Sequence, residues 1–258
     1  MKALRVTILL CVLVAVAFYT KLQRLESTAW VDTLSVSIYP INGDGSARTE
    51  DYIKALSVND FQAVERFLKK QWEKHRGLDY EPIEITLQEA VTAQPPVLSN
   101  DSNVLKVIFW SLRLRFWAYQ NAVDSNKSSI NIFVRYHQVD AAKWLAHSLG
   151  LQKGLIGVVN AYAAEAYEGK NNVVIAHELL HTVGASDKYD ATTGQPIYPE
   201  GFVNMDSGYE QSRAEIMAGK IPLSKTESVM PDFLRQCVVG NKTAVEIGWL
   251  DGVPDANQ

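Results

Sequence analysis

The stretch AHELLHTVGASDKYD, residues 176–190, carries two histidines four positions apart with a glutamate between them, then a glycine and two aspartates. On a helix, positions i and i+4 lie on one face, so His177 and His181 can present both imidazoles to one ion. Glu178 follows the first histidine and leans toward the same side. The preceding VVIA and the intervening Leu179 and Leu180 are apolar and point to a buried helix. A buried helix with two imidazoles and a carboxylate needs something to compensate those polar groups, and a metal ion supplies it.

The pattern extends beyond HExxH. Gly184 and Asp187 follow in register, giving HExxHxxGxxD. At ordinary residue frequencies this full set arises by chance in fewer than roughly one in 10⁴ chains of this size, which favours a metal site over an accidental spacing. Gly184 reads as a turn at left-handed dihedrals that other residues resist, and Asp187 is the first candidate for the third ligand. Asp190 is a rival, three residues on. Glu200, Glu210 and Glu215 are rivals of another kind, as glutamates supplied from further downstream; Glu200 sits in the proline-glycine loop IYPEGF, a poor base for a rigid ligand.

HELLHTVGASD resembles the metzincin zinc-peptidase motif HExxHxxGxxH, with an aspartate where the third histidine usually stands. The snapalysin-like minority of that clan shares this aspartate. The resemblance implies a single zinc ion held by His177, His181 and Asp187, with Glu178 as general base for hydrolysis of a peptide or protein substrate. It also implies a methionine turn beneath the metal, and Met217 in AEIMAGKIP is suitably placed, with Met205 as competitor. Some metzincins place a tyrosine two positions after that methionine; here the position is Gly219, so Tyr189 and Tyr209 are candidate substitutes. The close match covers about residues 172–219. Upstream it is limited to the order of elements, strands and two long helices ahead of a substrate-binding edge strand.

An aspartate ligand makes the site about one charge less positive than three histidines would. The expected activity optimum therefore lies on the neutral-to-alkaline side, and a harder ligand also keeps manganese and iron in play. Two other readings remain at this point. One is an exported zinc-binding scaffold that does not cut, against which an intact Glu178 argues. The other is a gluzincin-like membrane peptidase with a downstream glutamate ligand, against which the shortage of apolar spans argues.

The chain of 258 residues has room for one sizeable domain, and its composition, 47% hydrophobic and 21% charged, is that of a globular protein. A net charge of -4 with no basic run excludes an evident nucleic-acid partner. Residues 1–24 differ from the rest. Lys2 and Arg5 precede an apolar run from Val6 to Thr20, closed by Lys21 and Arg24. This reads as an export signal that stays as a membrane anchor, or is cleaved near Ala15–Ala17 to leave a secreted protein. Residues 25–258 then form a single metzincin-like catalytic domain, with the motif helix at 172–184 and a loop-rich C-terminal part at 185–258. With Cys11 in the targeting segment, Cys237 has no partner for an intrachain disulfide. Asn100, Asn126 and Asn241 open glycosylation triplets.

The expected fold is α+β, a mixed sheet with packed helices. TLSVSIYPI from Thr33 reads as a strand ending at Pro40, INGDGSARTED as a loop, and 59–76 as an amphipathic helix capped at Ser57 or Asn59 and stopped by Gly77. IEITL and INIFVRY read as strands, and GLIGVVNAYA as an edge strand. Helices are expected at 103–119, with Val104, Ile108, Leu112 and Trp117 in the core, at 139–149, and near 227–239 around Cys237. EGKNN reads as a turn before the motif helix. His75, His137 and His147 read as surface or packing residues.

Overall fold

The computed structural model describes residues 5, 7, 10, 14, 28–98, 103–122, 130–140 and 145–251. Nearly all of the apolar N-terminal run, together with Asn100 and Asn126, lies outside them. Among the described residues no helix is long and apolar enough to cross a membrane.

A five-stranded mixed sheet forms the centre, in the order β2 (Ile83–Leu87), β1 (Leu34–Asn42), β3 (Ile130–His137), β5 (Ile156–Tyr162), β4 (Leu149–Leu151). The first four are parallel and β4 runs antiparallel to β5. Both faces of the sheet are covered, so its central strands read as nearly continuous apolar runs. On β1, Val36 and Ile38 enter the main core while Tyr39 and Ile41 enter a smaller cluster on the opposite face.

Helices α2 (Gln62–Arg76) and α4 (Glu168–Thr182) pack on the main-core face. Helix α3 (Val104–Asn121) closes the other, with Trp117 edge-on to Phe133 at 4.6 Å. A short helix α1 (Ala47–Ala55) precedes α2, and α5 (Asn241–Glu246) comes near the end. Helix α2 is stopped by Gly77, whose φ of 67° donates its N–H back to Glu73. The single 3₁₀ turn Val58–Phe61 that leads into it carries a reciprocal cap between Ser57 and Asp60.

Several expectations need correction. Pro40 does not end β1. Its carbonyl faces the β2 side, where it accepts the Val91 N–H at 2.8 Å, and the amide it lacks would face the same way, beyond the last β1–β2 pair, Ile38 with Leu87. INGDGSARTED is only half loop, because Ser46 caps α1 by accepting the Thr49 N–H. EGKNN is the opening of α4 rather than a turn, since its amides find partners inside: Asn171 bonds both the N–H and the carbonyl of Tyr162, and Asn172 donates to the Asp60 carbonyl. The strand in GLIGVVNAYA is interior; the edge is β4, a three-residue strand too short to show a period. Residues 138–140 and 145–148 are irregular instead of helical, and 141–144 lie outside the described residues.

The expected helix near 227–239 is broken by Pro231. In its place stand β8 (Ser228–Val229), a 3₁₀ turn at Leu234–Gln236 and β9 (Cys237–Val238), which puts the buried Cys237 on a strand. β8 pairs with β7 (Ile221–Pro222), and β9 with β6 (Ala214–Glu215). On α3, Val104, Ile108 and Leu112 are exposed, while Leu114 and Ala118 are buried.

The C-terminal part shares the main core through Ile216, Met217, Leu234, Val239, Ala244 and Ile247. Three tryptophans close that core where the chain enters and leaves it. Trp30, Trp72 and Trp249 lie 5.6–5.8 Å apart, and the Trp30 indole N–H donates to the Ile247 carbonyl at 2.6 Å. Trp30→Ala should destabilise the domain by about 3–5 kcal/mol. Urea unfolding followed by circular dichroism checks this, and an unchanged midpoint would mean that the cluster does not join the two ends.

Candidate metal centre

Three side chains from two neighbouring segments meet at one point. The Nε2 atoms of His177 and His181 lie 3.1 Å apart, and Asp187 Oδ1 lies 3.3 Å from the first and 3.1 Å from the second. A tetrahedral ion with bonds of about 2.0–2.1 Å holds its ligand atoms about 3.3 Å apart, so this triangle has the size such an ion requires. Among the described residues it is the one group of three or more histidine, cysteine or acidic side chains that could hold a metal.

The other imidazole nitrogens are already engaged. His177 Nδ1 lies 2.9 Å from the Ile216 carbonyl and His181 Nδ1 2.8 Å from the Ala185 carbonyl. A carbonyl can only accept, so both Nδ1 atoms carry protons, and in the neutral tautomers both Nε2 lone pairs face Asp187. Two lone pairs and a carboxylate converging on one point call for a cation.

Without a metal, that demand appears in the titration of the groups themselves. Burial alone would lower His177, but the Asp187 carboxylate, Glu178 and the Ile216 carbonyl outweigh it and raise its pKa. Burial works to raise Asp187, and the two imidazoles overcome it and hold the carboxyl well below its usual range.

Local sequence explains how Asp187 arrives beside the histidines. Helix α4 ends at Thr182, and Gly184 turns the chain at φ 107°. A Cβ on Gly184 would come within 2.6 Å of the movable end of the Gln152 side chain, so it is the positive φ that requires glycine there. Beyond the turn, Glu246 at the end of α5 clamps the loop. Its carboxylate accepts the Ser186 N–H and hydroxyl at 2.9 and 2.8 Å, and the nearly fully buried Lys188 at 2.7 Å. Asp187 sits between these two clamped residues.

The turn beneath the helix is built on a second buried acid. Glu215 is fully buried and accepts four hydrogen bonds, from the N–H groups of Met217, Ala218 and Gly240 and from the Thr243 hydroxyl, at 2.6–3.1 Å. It thereby shapes the 3₁₀ turn Ile216–Ala218 that presents the Ile216 carbonyl to His177. Met217 is fully buried in this turn, whereas Met205 is exposed.

Glu178 is buried, and its Oε2 has no hydrogen-bond partner. Burial raises its pKa, opposed by His177 and His181. The exposed His147 also favours its charged form, a proximity that a lone histidine 31 positions upstream does not announce. Tyr189 lies beside Asp187; burial and that carboxylate push its pKa up to about 12.

Other candidates fall away from the site. Asp190 caps its own turn, accepting from Thr192 and Thr193. Glu200 lies near Lys242, Glu215 is committed to the turn, and neither they nor Glu210 join the triad. Tyr209 packs on Phe202. Sequence reasoning missed Gly150 on β4, where a Cβ would lie 2.3 Å from the Glu178 carbonyl oxygen and 2.5 Å from His181 Cβ. The edge strand therefore rests directly on the motif helix. It also missed Glu246, which is 59 residues from Asp187 in sequence and carries no local signature.

No family model matches this chain, and no curated protein does. The site therefore rests on its own geometry.

Glu246→Ala should weaken metal binding by about 10–100-fold, the usual effect of removing a group that orients a ligand, while Asp190→Ala leaves it unchanged; competition against a zinc-chelating dye measures both. Lys188 and the Ser186 hydrogen bonds depress the pKa of Glu246, overcoming the effect of its burial. The stabilisation they bring is present above the ordinary carboxylate pKa and is lost as pH falls through the depressed one. The stability gap between wild type and Glu246→Ala should accordingly close on acidification.

Proposed function

We propose that this protein is a zinc-dependent peptidase of the metzincin type, exported and held at a membrane by its N-terminal apolar run. The observation that carries the reading is the pair of Nε2 atoms 3.1 Å apart, facing Asp187 with both Nδ1 positions committed to carbonyls. His177 and His181 hold the ion through Nε2, and Asp187 holds it through a carboxylate oxygen. The Asp187 side chain is 41% exposed against 12% and 16% for the histidines, so the site opens to solvent on that side, as a catalytic site with a free position does.

When bound, zinc supplies a Lewis acid that acidifies water and polarises a substrate carbonyl. Glu178 takes the proton of the attacking water on its unpartnered Oε2 and returns it to the departing amine nitrogen. Met217 with Glu215 holds the turn that orients His177, and Tyr189 lies beside the third ligand. The outer edge of β4, beside His181, offers backbone groups for an extended peptide to pair with. A purely structural zinc site gives no reason for a buried carboxylate oxygen to go unpaired, which sets the non-catalytic reading behind this one.

The purified protein should bind one zinc and cleave casein or a peptide library. Glu178→Gln should keep the zinc and lose about 10²–10⁴-fold in rate. Hydrolysis at full rate in that variant would remove Glu178 from the mechanism. The aspartate ligand predicts a pH-rate profile with its optimum on the neutral-to-alkaline side, and an optimum below about pH 6 would contradict an anionic third ligand.

A further inference from the structure

Helix α3 is apolar on two opposite faces. One, carrying Trp110, Leu114, Trp117 and Ala118, turns toward the sheet, where Ala118 packs with Tyr39, Phe133 and Ile156. The other carries Leu105, Ile108, Phe109, Leu112, Phe116 and Tyr119, all between 52% and 79% exposed. Their spacings of three and four residues place them on a single stripe about 100° wide, on the side away from the protein. Soluble surfaces scatter large apolar side chains singly; a continuous stripe marks a docking face.

Charge chooses the occupant. Between residues 104 and 121 there is no aspartate or glutamate, while Lys106 and Arg113, seven residues apart, run along one border of the stripe; Arg115, on the other border, turns in to donate to the Lys153 carbonyl at 3.0 Å. The chain as a whole carries a net charge of -4, so this basic helix runs against its background. An apolar stripe with aromatic members and a cationic border fits an interface with acidic headgroups. The three cations also leave α3 too polar to cross a bilayer, consistent with the absence of any spanning helix among the described residues.

Tether length supplies the second argument. The apolar run ends at Thr20 and Trp30 is locked into the core, so the nine residues between reach at most about 30 Å. A domain of this size is about 45 Å across. A chain held in a bilayer by its N-terminus therefore keeps the domain close to the lipid.

We propose that the outer face of α3 lies on the lipid surface and seats the domain on an anionic membrane. The proposal rests on the tethered reading above but not on the peptidase reading. Buried to the level of the headgroup–acyl boundary, the stripe gives the domain a second contact with the lipid.

The test uses the full chain with Cys11→Ser, since Cys237 is buried, and a single environment-sensitive fluorophore on Leu112→Cys or, as control, on the exposed Lys54→Cys of α1. Both are reconstituted into vesicles of phosphatidylcholine and phosphatidylglycerol. Emission of the Leu112 label should shift to the blue, and doxyl-labelled lipid should quench it several-fold more than the Lys54 label. Adding Phe109→Glu and Phe116→Glu, both at exposed positions, should remove that difference without altering the circular dichroism. Replacing Lys106 and Arg113 with glutamate should reverse the preference for phosphatidylglycerol. Equal quenching at the two positions would overturn the proposal. So would a Leu112 label shielded without lipid, which assigns the stripe to a second copy if shielding grows with protein concentration and to the chain's own apolar run if it does not. Carbonate extraction of the same vesicles reports on the N-terminal anchor separately, so failure of the tether and failure of the docking face are told apart.

Discussion

Two hydrogen bonds on the far side of the imidazoles govern the candidate site. His177 and His181 each give their Nδ1 proton to a backbone carbonyl, Ile216 and Ala185 respectively. Those donations fix the tautomers, turn both Nε2 lone pairs inward and leave the rings little freedom to rotate. The two carbonyls come from different places. Ala185 follows the turn that ends the motif helix, and Ile216 sits in a 3₁₀ turn shaped by the buried Glu215. The C-terminal part is therefore what fits the histidines for a cation.

The position of Asp187 depends on a comparable arrangement at longer range. Gly184 sends the chain back along the helix, and Glu246 holds both neighbours of Asp187. Lys188 is a nearly fully buried cation facing a partly buried carboxylate. Such a pair adds little net stability over an apolar replacement, but breaking it leaves a charge stranded. Its value here lies in position, because it ties both neighbours of Asp187 to the end of α5. The core gathered around Trp30, Trp72 and Trp249 keeps α5, and with it Glu246, in register with the sheet.

The motif itself was legible because its information is local. Helical spacing brings His177 and His181 together whatever the rest of the chain does, and glycine at 184 is a backbone demand that only one residue type meets cheaply. The alternating and continuous apolar runs likewise placed the long strands and α2. What escaped depends on contacts distant in sequence. A three-residue edge strand has no period to read, and the cap at Ser46 is hidden among turn formers. Glu215 and Glu246 look like any other glutamates until the fold supplies their donors. The error on α3 has a different cause: a helix apolar on opposite faces offers two candidate cores, and periodicity alone does not say which one meets the sheet.

The most direct test of the account is X-ray absorption at the zinc edge on the zinc-loaded protein, comparing wild type with Asp187→Ala. The account predicts a four-coordinate site with two imidazole nitrogens and the remainder light oxygen donors, and in the variant a spectrum changed by loss of the carboxylate, as a drop in coordination number or in zinc occupancy. A shell containing sulfur, three or more imidazoles, or a spectrum untouched by Asp187→Ala would contradict it.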